Sequence, residues 1–277
     1  MVLTAVYPIP DLARATVALF VLLIAVGIPV YLLVFRPVER RDTWWISEMI
    51  AVSILFIIAL PMGAILAGLT EPLTLTSLSL VTVVQNLLFV GASVYIVTVR
   101  YGLGPLRLGV RFDGWRRQAV LGVLGAAVTI PLALASEEVA VFLVGLVEGP
   151  AQAAARAAAE HMSDPLRPIL EALTGAVPLA WMFLLLVVVV PIGEEVFFRG
   201  LIYGGLRARW GVAAATFGSA VFFTAVHVQI VHALPIFVLA VLLALLYERT
   251  GGLLASIVTH AINNVIAVLS IWRDWGF

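Results

Sequence analysis

The chain has 277 residues, of which 63% are hydrophobic and only 12% charged, and its mean hydropathy is +1.13. Such values lie far outside soluble globular usage and describe a polytopic membrane protein. Sixteen basic residues balance sixteen acidic ones, so net charge gives no argument for a nucleic-acid partner, and none is expected; the absence of cysteine excludes disulfides, thiolate metal ligands and cysteine-nucleophile chemistry.

A spanning helix needs about 20 mostly apolar residues. Eight stretches qualify, near 12–35, 45–69, 76–99, 117–136, 176–208, 211–228, 231–248 and 252–272. The expected fold is all-α, one transmembrane helical bundle of about eight spans, with N-terminal spans over 1–136. MVLTAVYPIPDLAR lacks the basic n-region and cleavage site of a signal peptide, so the first apolar run is expected to be retained. Arg36, Arg40 and Arg41 fall between spans one and two, and Arg100, Arg107, Arg111, Arg116 and Arg117 between three and four. Short cytoplasmic loops carry the excess of basic residues, which predicts both loops cytoplasmic and both termini outside. The 137–175 connection is expected to hold a surface helix over the Ala-rich AQAAARAAAEHM, then the loop SDPLRP. Glu137-Glu138, at its start, read as an interfacial or structural pair. The fifth stretch is long enough to tilt or break at Pro191-Ile192-Gly193, and a hairpin turn is expected at Trp210-Gly211.

Ionisable residues at membrane depth are costly unless paired or facing a polar cavity, so the few present are functional candidates. Glu194, Glu195 and Arg199 sit in span five, His227 in span six, and His260, Asn263 and Asn264 in span eight. Glu195 and Arg199 are i,i+4 neighbours in the favourable order and can pair. Glu194 points about 100° away and is free for another task. His260 and Asn264, also i,i+4, share one helix face. Sixteen residues separate Glu194 from Trp210 and His227 from Gly211, so a hairpin brings both to similar height. Taken singly, each feature has a plain structural reading: an interfacial ion pair, a histidine bonded to a carbonyl, interhelical glue. Their combination favours a reaction site.

The three motifs, EEVFFR over 194–199, FTAVH over 223–227 and HAINN over 260–264, resemble in order the signature of the CPBP intramembrane proteases, the CAAX proteases and bacteriocin-processing enzymes also called Abi proteins. The resemblance covers about 176–272, the family's four-helix core, and implies an integral-membrane endopeptidase. Peptide hydrolysis asks for the same parts independently. Glu194 suits the general base that takes a proton from water, and His227 can hold that water. His260 and Asn264 suit an oxyanion hole. Glu195 and Arg199 read as supporting residues that fix the motif helix. The resemblance implies the same assignment. The expected partners are a peptide or membrane-protein substrate and the lipid bilayer, and the expected location is the plasma membrane of a prokaryote.

Two other classes remain open, a transporter using the buried polar residues as an ion path and a non-catalytic immunity or scaffold protein; no internal repeat supports the first. HExxH, Gly-x-Gly-Asp and Gly-x-Ser-Gly are absent, which removes the parts of the other intramembrane protease mechanisms. No cofactor is expected. Zinc is the alternative, with Glu194, His227 and His260 as ligands, but the two histidines lie on separate helices and an amide is a poor zinc ligand.

Overall fold

The computed structural model describes residues 24–35, 43–55, 57, 74–162 and 166–273. The expected spans at 12–35 and 45–69, the loop with Arg36, Arg40 and Arg41, and much of SDPLRP lie wholly or partly outside the described residues. Two compact units are present, Met1–Pro37 with Ser47–Pro72, and Val38–Ile46 with Leu73–Phe277. The first contains the short apolar helix α1 (Ile24–Val34) and nearly all of α2 (Ile46–Ile54), in which Ser53 Oγ donates to the Met49 carbonyl at 2.6 Å.

The second unit carries the candidate site. Its helices are α3 (Leu75–Arg100), α4 (Trp115–Glu148), α5 (Pro150–Met162), α6 (Arg167–Ala172), α7 (Ala176–Ala225), α8 (Ala233–Thr250) and α9 (Leu254–Arg273). Among the described residues there is no strand, and five helices, α3, α4, α7, α8 and α9, are long and apolar enough to cross a membrane. The all-α class holds, and the protein is an integral membrane protein. The count differs from eight because α7, at 50 residues, contains two of the expected spans and two others fall largely outside the described residues.

Local chemistry explains the boundaries. A reciprocal capping box starts α3: Thr74 Oγ1 accepts from the Ser77 N–H at 3.1 Å, and Ser77 Oγ accepts from the Thr74 N–H at 2.9 Å. Helix α4 does not stop at 136. VAVFLVGLVE keeps it helical past the glutamate pair, until Gly149 at φ 95° and Pro150 end it. Its 34 residues would measure about 51 Å at about 1.5 Å each, longer than the roughly 30 Å of hydrocarbon, so Glu137 and Glu138 need not mark its end. The expected Ala-rich surface helix is α5.

Helix α7 folds back on itself at Gly211, where φ 78° and ψ −179° are non-helical and suit glycine. The arms pack antiparallel: Phe198 meets Phe223 with ring centroids 4.8 Å apart, and Leu206 reaches Gly218. The hairpin thus lies where the sequence places it. The chain does not break at Pro191. It widens into π-type turns over Leu184–Val189 and Val196–Tyr203 on either side of the motif.

Candidate active site

The motif turn of α7 is positioned from both sides. Against α3, Phe89 stacks on Phe197 with centroids 4.4 Å apart, and Trp181 Nε1 donates to Ser79 Oγ at 2.8 Å. Between these anchors Gly193 meets Asn86, a residue only 6% exposed whose Nδ2 donates to the Thr82 carbonyl at 2.8 Å. A Cβ at Gly193 would collide with Asn86 Oδ1 and lie 2.7 Å from its Cγ. Glycine here is a requirement of close helix packing. Gly193→Ala is therefore expected to destabilise the protein by about 1–3 kcal/mol, the usual cost of overpacking, and to displace the adjacent Glu194. Asn86→Ala in the same chain should restore most of the melting temperature. Thermal melting of the single and double variants in detergent checks this, and an unchanged melt of Gly193→Ala would contradict the packing.

Glu195 and Arg199 form a buried ion pair, with Nη1 to Oε1 at 2.8 Å and exposures of 0% and 1%. Arg199 Nη2 also donates to the Ala240 carbonyl at 3.3 Å, and its guanidinium lies 4.7 Å from the centre of the Phe223 ring. The i,i+4 spacing made the pair legible in the sequence. Its partners on α8 and the second arm of α7 were not.

His260, 4% exposed on α9, joins this network. Its Nδ1 lies 2.9 Å from Glu195 Oε1 and its Nε2 lies 3.8 Å from Glu194 Oε2. A carboxylate only accepts, so Nδ1 carries the proton toward Glu195, and Nε2 faces Glu194. One imidazole thus connects the two glutamates. The sequence placed Glu194 and Glu195 on diverging faces but did not link either of them to His260.

Asn264, one turn beyond His260, donates from Nδ2 to the Leu186 carbonyl at 2.8 Å. In the wide turns over Leu184–Val189 that carbonyl would look five residues on for its donor, to Pro191, which has no N–H. Asn264 satisfies the orphan acceptor, and the second hydrogen of its amide remains available. The neighbouring Asn263 donates to Thr129 Oγ1 and to the Thr259 carbonyl, both at 2.8 Å, and binds α9 to α4.

His227 follows the C-terminal end of α7. Its Nδ1 is 2.7 Å from the Phe223 carbonyl, an acceptor, so Nδ1 donates and Nε2 is left free. Phe223 separates the two imidazoles, its ring centroid 4.7 Å from that of His227 and 5.9 Å from that of His260. No hydrogen bond or ion pair joins Glu194 to His227. The carboxylate expected to work with His227 instead faces His260. Among the described residues, no three His, Asp or Glu side chains converge as a metal ion would require.

His227, His260, Asn263 and Asn264 line one cavity of about 330 Å³, whose remaining wall is mostly apolar. Glu137, Glu160, His161 and His232 line the same cavity. His232 Nδ1 is 3.0 Å from Glu160 Oε2 and its Nε2 is 3.7 Å from Glu137 Oε1. Glu160 also accepts from the N–H groups of Ile230, Val231 and His232, which lead into α8. Burial pushes its carboxyl up, but those N–H groups and the His232 side chain outweigh it and hold Glu160 below the ordinary carboxylate value. Sequence reasoning missed Glu160 and His232. The signal available was the one carboxylate of the Ala-rich helix, placed near its end.

Residues 176–266 match the family model described as type II CAAX prenyl endopeptidase Rce1-like. The matched segment contains all six candidate site residues, and over it the resemblance to the CPBP family is shown. No curated protein and no solved structure matches the chain.

Proposed function

We propose that the protein is an intramembrane endopeptidase of the plasma membrane of a prokaryote, hydrolysing peptides or membrane-anchored proteins by a glutamate-activated water. The family match supports a CAAX-type endopeptidase. The observation that carries the mechanism is the cluster in which His260, bonded to the Glu195–Arg199 pair through Nδ1, turns Nε2 toward Glu194 at 3.8 Å and also lines the cavity. Glu194 takes the proton of the attacking water. His227, with Nε2 free, holds the water or the departing amine. Asn264 offers the second hydrogen of its amide to the oxyanion, and His260 can donate from Nε2 only as an imidazolium. Glu195 and Arg199 fix the imidazole's orientation. Loss of one oxyanion donor typically costs about 2.7–4 kcal/mol of barrier. The test is detergent-purified protein incubated with a fluorogenic peptide library beside an identically prepared Glu194→Gln protein. Cleavage by the wild type alone supports the reading, and no cleavage of any peptide by the wild type refutes it.

The reaction is proposed to need no metal. Glu194 and His260 approach each other, but His227 is turned toward its own helix carbonyl. Prolonged chelation and dialysis are therefore expected to leave turnover unchanged, with elemental analysis finding no stoichiometric zinc. Zinc whose removal abolishes cleavage and whose return restores it would recast Glu194, His227 and His260 as ligands.

A further inference from the structure

The second unit has two chemically different ends. One gathers the 101–114 connection, the α7 turn at Gly211 and the 251–253 connection. The Leu253 N–H donates to the Gly109 carbonyl at 3.0 Å, and Tyr203 Oη and the Arg207 guanidinium both reach Glu248, at 2.7 Å and 3.0 Å. The Arg209 guanidinium lies 5.7 Å from the centre of the Trp45 ring at the same end. The stretches 100–117, 203–212 and 247–253 that meet here carry eight arginines, Arg100, Arg107, Arg111, Arg116, Arg117, Arg207, Arg209 and Arg249, and two acids, Asp113 and Glu248. The other end is built by the last turns of α4, by α5 and α6, and by the 226–232 connection. Its described residues between 137 and 171 carry five carboxylates against Arg156 and Arg167. Each of these arginines already has a carboxylate partner, Glu148 at 2.7 Å and Glu171 at 3.8 Å.

The cavity belongs to the acidic end. Its walls come from the second half of α4 (130–137), the first two turns of α8 (235–239) and α9 from His260 toward its C-terminus, and its rim from α5 and the 226–232 connection. None of its lining residues comes from the arginine-rich end. Basic residues are retained on the cytoplasmic side of short membrane-protein loops, and eight arginines at one end against Arg156 and Arg167 among the described residues 137–171 of the other is a strong bias.

We infer that the reaction site is entered from the extracytoplasmic face, so that its substrates are exported peptides or the extracytoplasmic juxtamembrane segments of membrane proteins. The substrate class rests on the peptidase reading above, whereas the direction of opening does not. An acidic rim also raises the local concentration of cationic peptides.

The absence of cysteine makes the test direct. Single cysteines are introduced as Leu106→Cys in the arginine-rich end, 57% exposed, as Ile230→Cys at the rim, 56% exposed, and as Ala267→Cys on the cavity wall. A membrane-impermeant maleimide is applied to right-side-out spheroplasts and to sealed inverted vesicles. Ile230→Cys and Ala267→Cys should label in spheroplasts and stay at background in inverted vesicles, and Leu106→Cys should do the reverse. A membrane-impermeant fluorogenic peptide cleaved by the purified protein should be cut by spheroplasts, and by inverted vesicles only once detergent opens them. Labelling of Ala267→Cys from the same side as Leu106→Cys, or cleavage confined to sealed inverted vesicles, overturns the inference. The expected labelling without cleavage from either side upholds the direction of opening and refutes the peptidase reading.

Discussion

Glu194→Gln is expected to lower kcat by about 10²–10⁴-fold, the range associated with loss of a general base, while leaving the melting temperature near that of the wild type. Glutamine keeps the shape of the side chain and removes its ability to take a proton. Glu194 is the glutamate outside the buried ion pair, and the imidazole it faces, His260 Nε2, lies at 3.8 Å, beyond hydrogen-bonding distance. Little folding energy should therefore depend on it. Steady-state kinetics on a confirmed substrate, paired with melting in detergent, separate the two quantities. Near wild-type turnover by folded Glu194→Gln would move the base elsewhere, and the adjacent Glu195 is poorly placed to replace it, because its carboxylate is 0% exposed and its Oε1 already holds Arg199 and His260.

Arg199→Ala is expected to lose both stability and activity. The substitution leaves the Glu195 carboxylate, 0% exposed, without its cation, and breaking a buried pair costs about 3–5 kcal/mol. It also removes the guanidinium from the Phe223 ring and from the Ala240 carbonyl, so the second arm of α7 and α8 both lose a contact. His260 is oriented through Glu195, and its Nε2 should then wander from Glu194. A large drop in melting temperature accompanied by lost cleavage is the expected result. An inactive Arg199→Ala protein with an unchanged melt would instead indicate that the guanidinium touches substrate. Arg199→Lys is a useful companion, because an ammonium keeps the charge and lacks the planar fork that serves Glu195 and Ala240 together.

The amino-acid sequence by itself determined that the protein is helical and membrane-embedded, because hydropathy and length act locally and need no tertiary partner. It also determined the Glu195–Arg199 pair and the hairpin at Gly211. The first follows from i,i+4 spacing within a helix. The second follows from glycine's access to positive φ, here 78°, beside a break in the apolar run. The three motifs made six candidate residues legible, and the family match spans all six. Periodicity could not settle where α4 stops, because Glu137 and Glu138 look like a span end while the next ten residues continue a helix.

Only the tertiary structure decided how the pieces meet. That His260 bonds Glu195 and turns its other nitrogen toward Glu194 depends on the docking of α9 against α7, a contact between residues 65 apart in the chain. That Asn264 satisfies the carbonyl left open by Pro191 depends on wide helical turns that hydropathy does not encode. That Asn86 occupies the space of a side chain at Gly193 depends on α3, outside the segment bearing the motifs. The cavity's acidic end likewise arises where α5 delivers Glu160 to the N–H groups leading into α8, 70 residues further along. Composition and spacing report what each helix can tolerate around itself. Side-chain hydrogen bonds between helices require distances within a few tenths of an ångström, and those are set by the packing of all the helices at once.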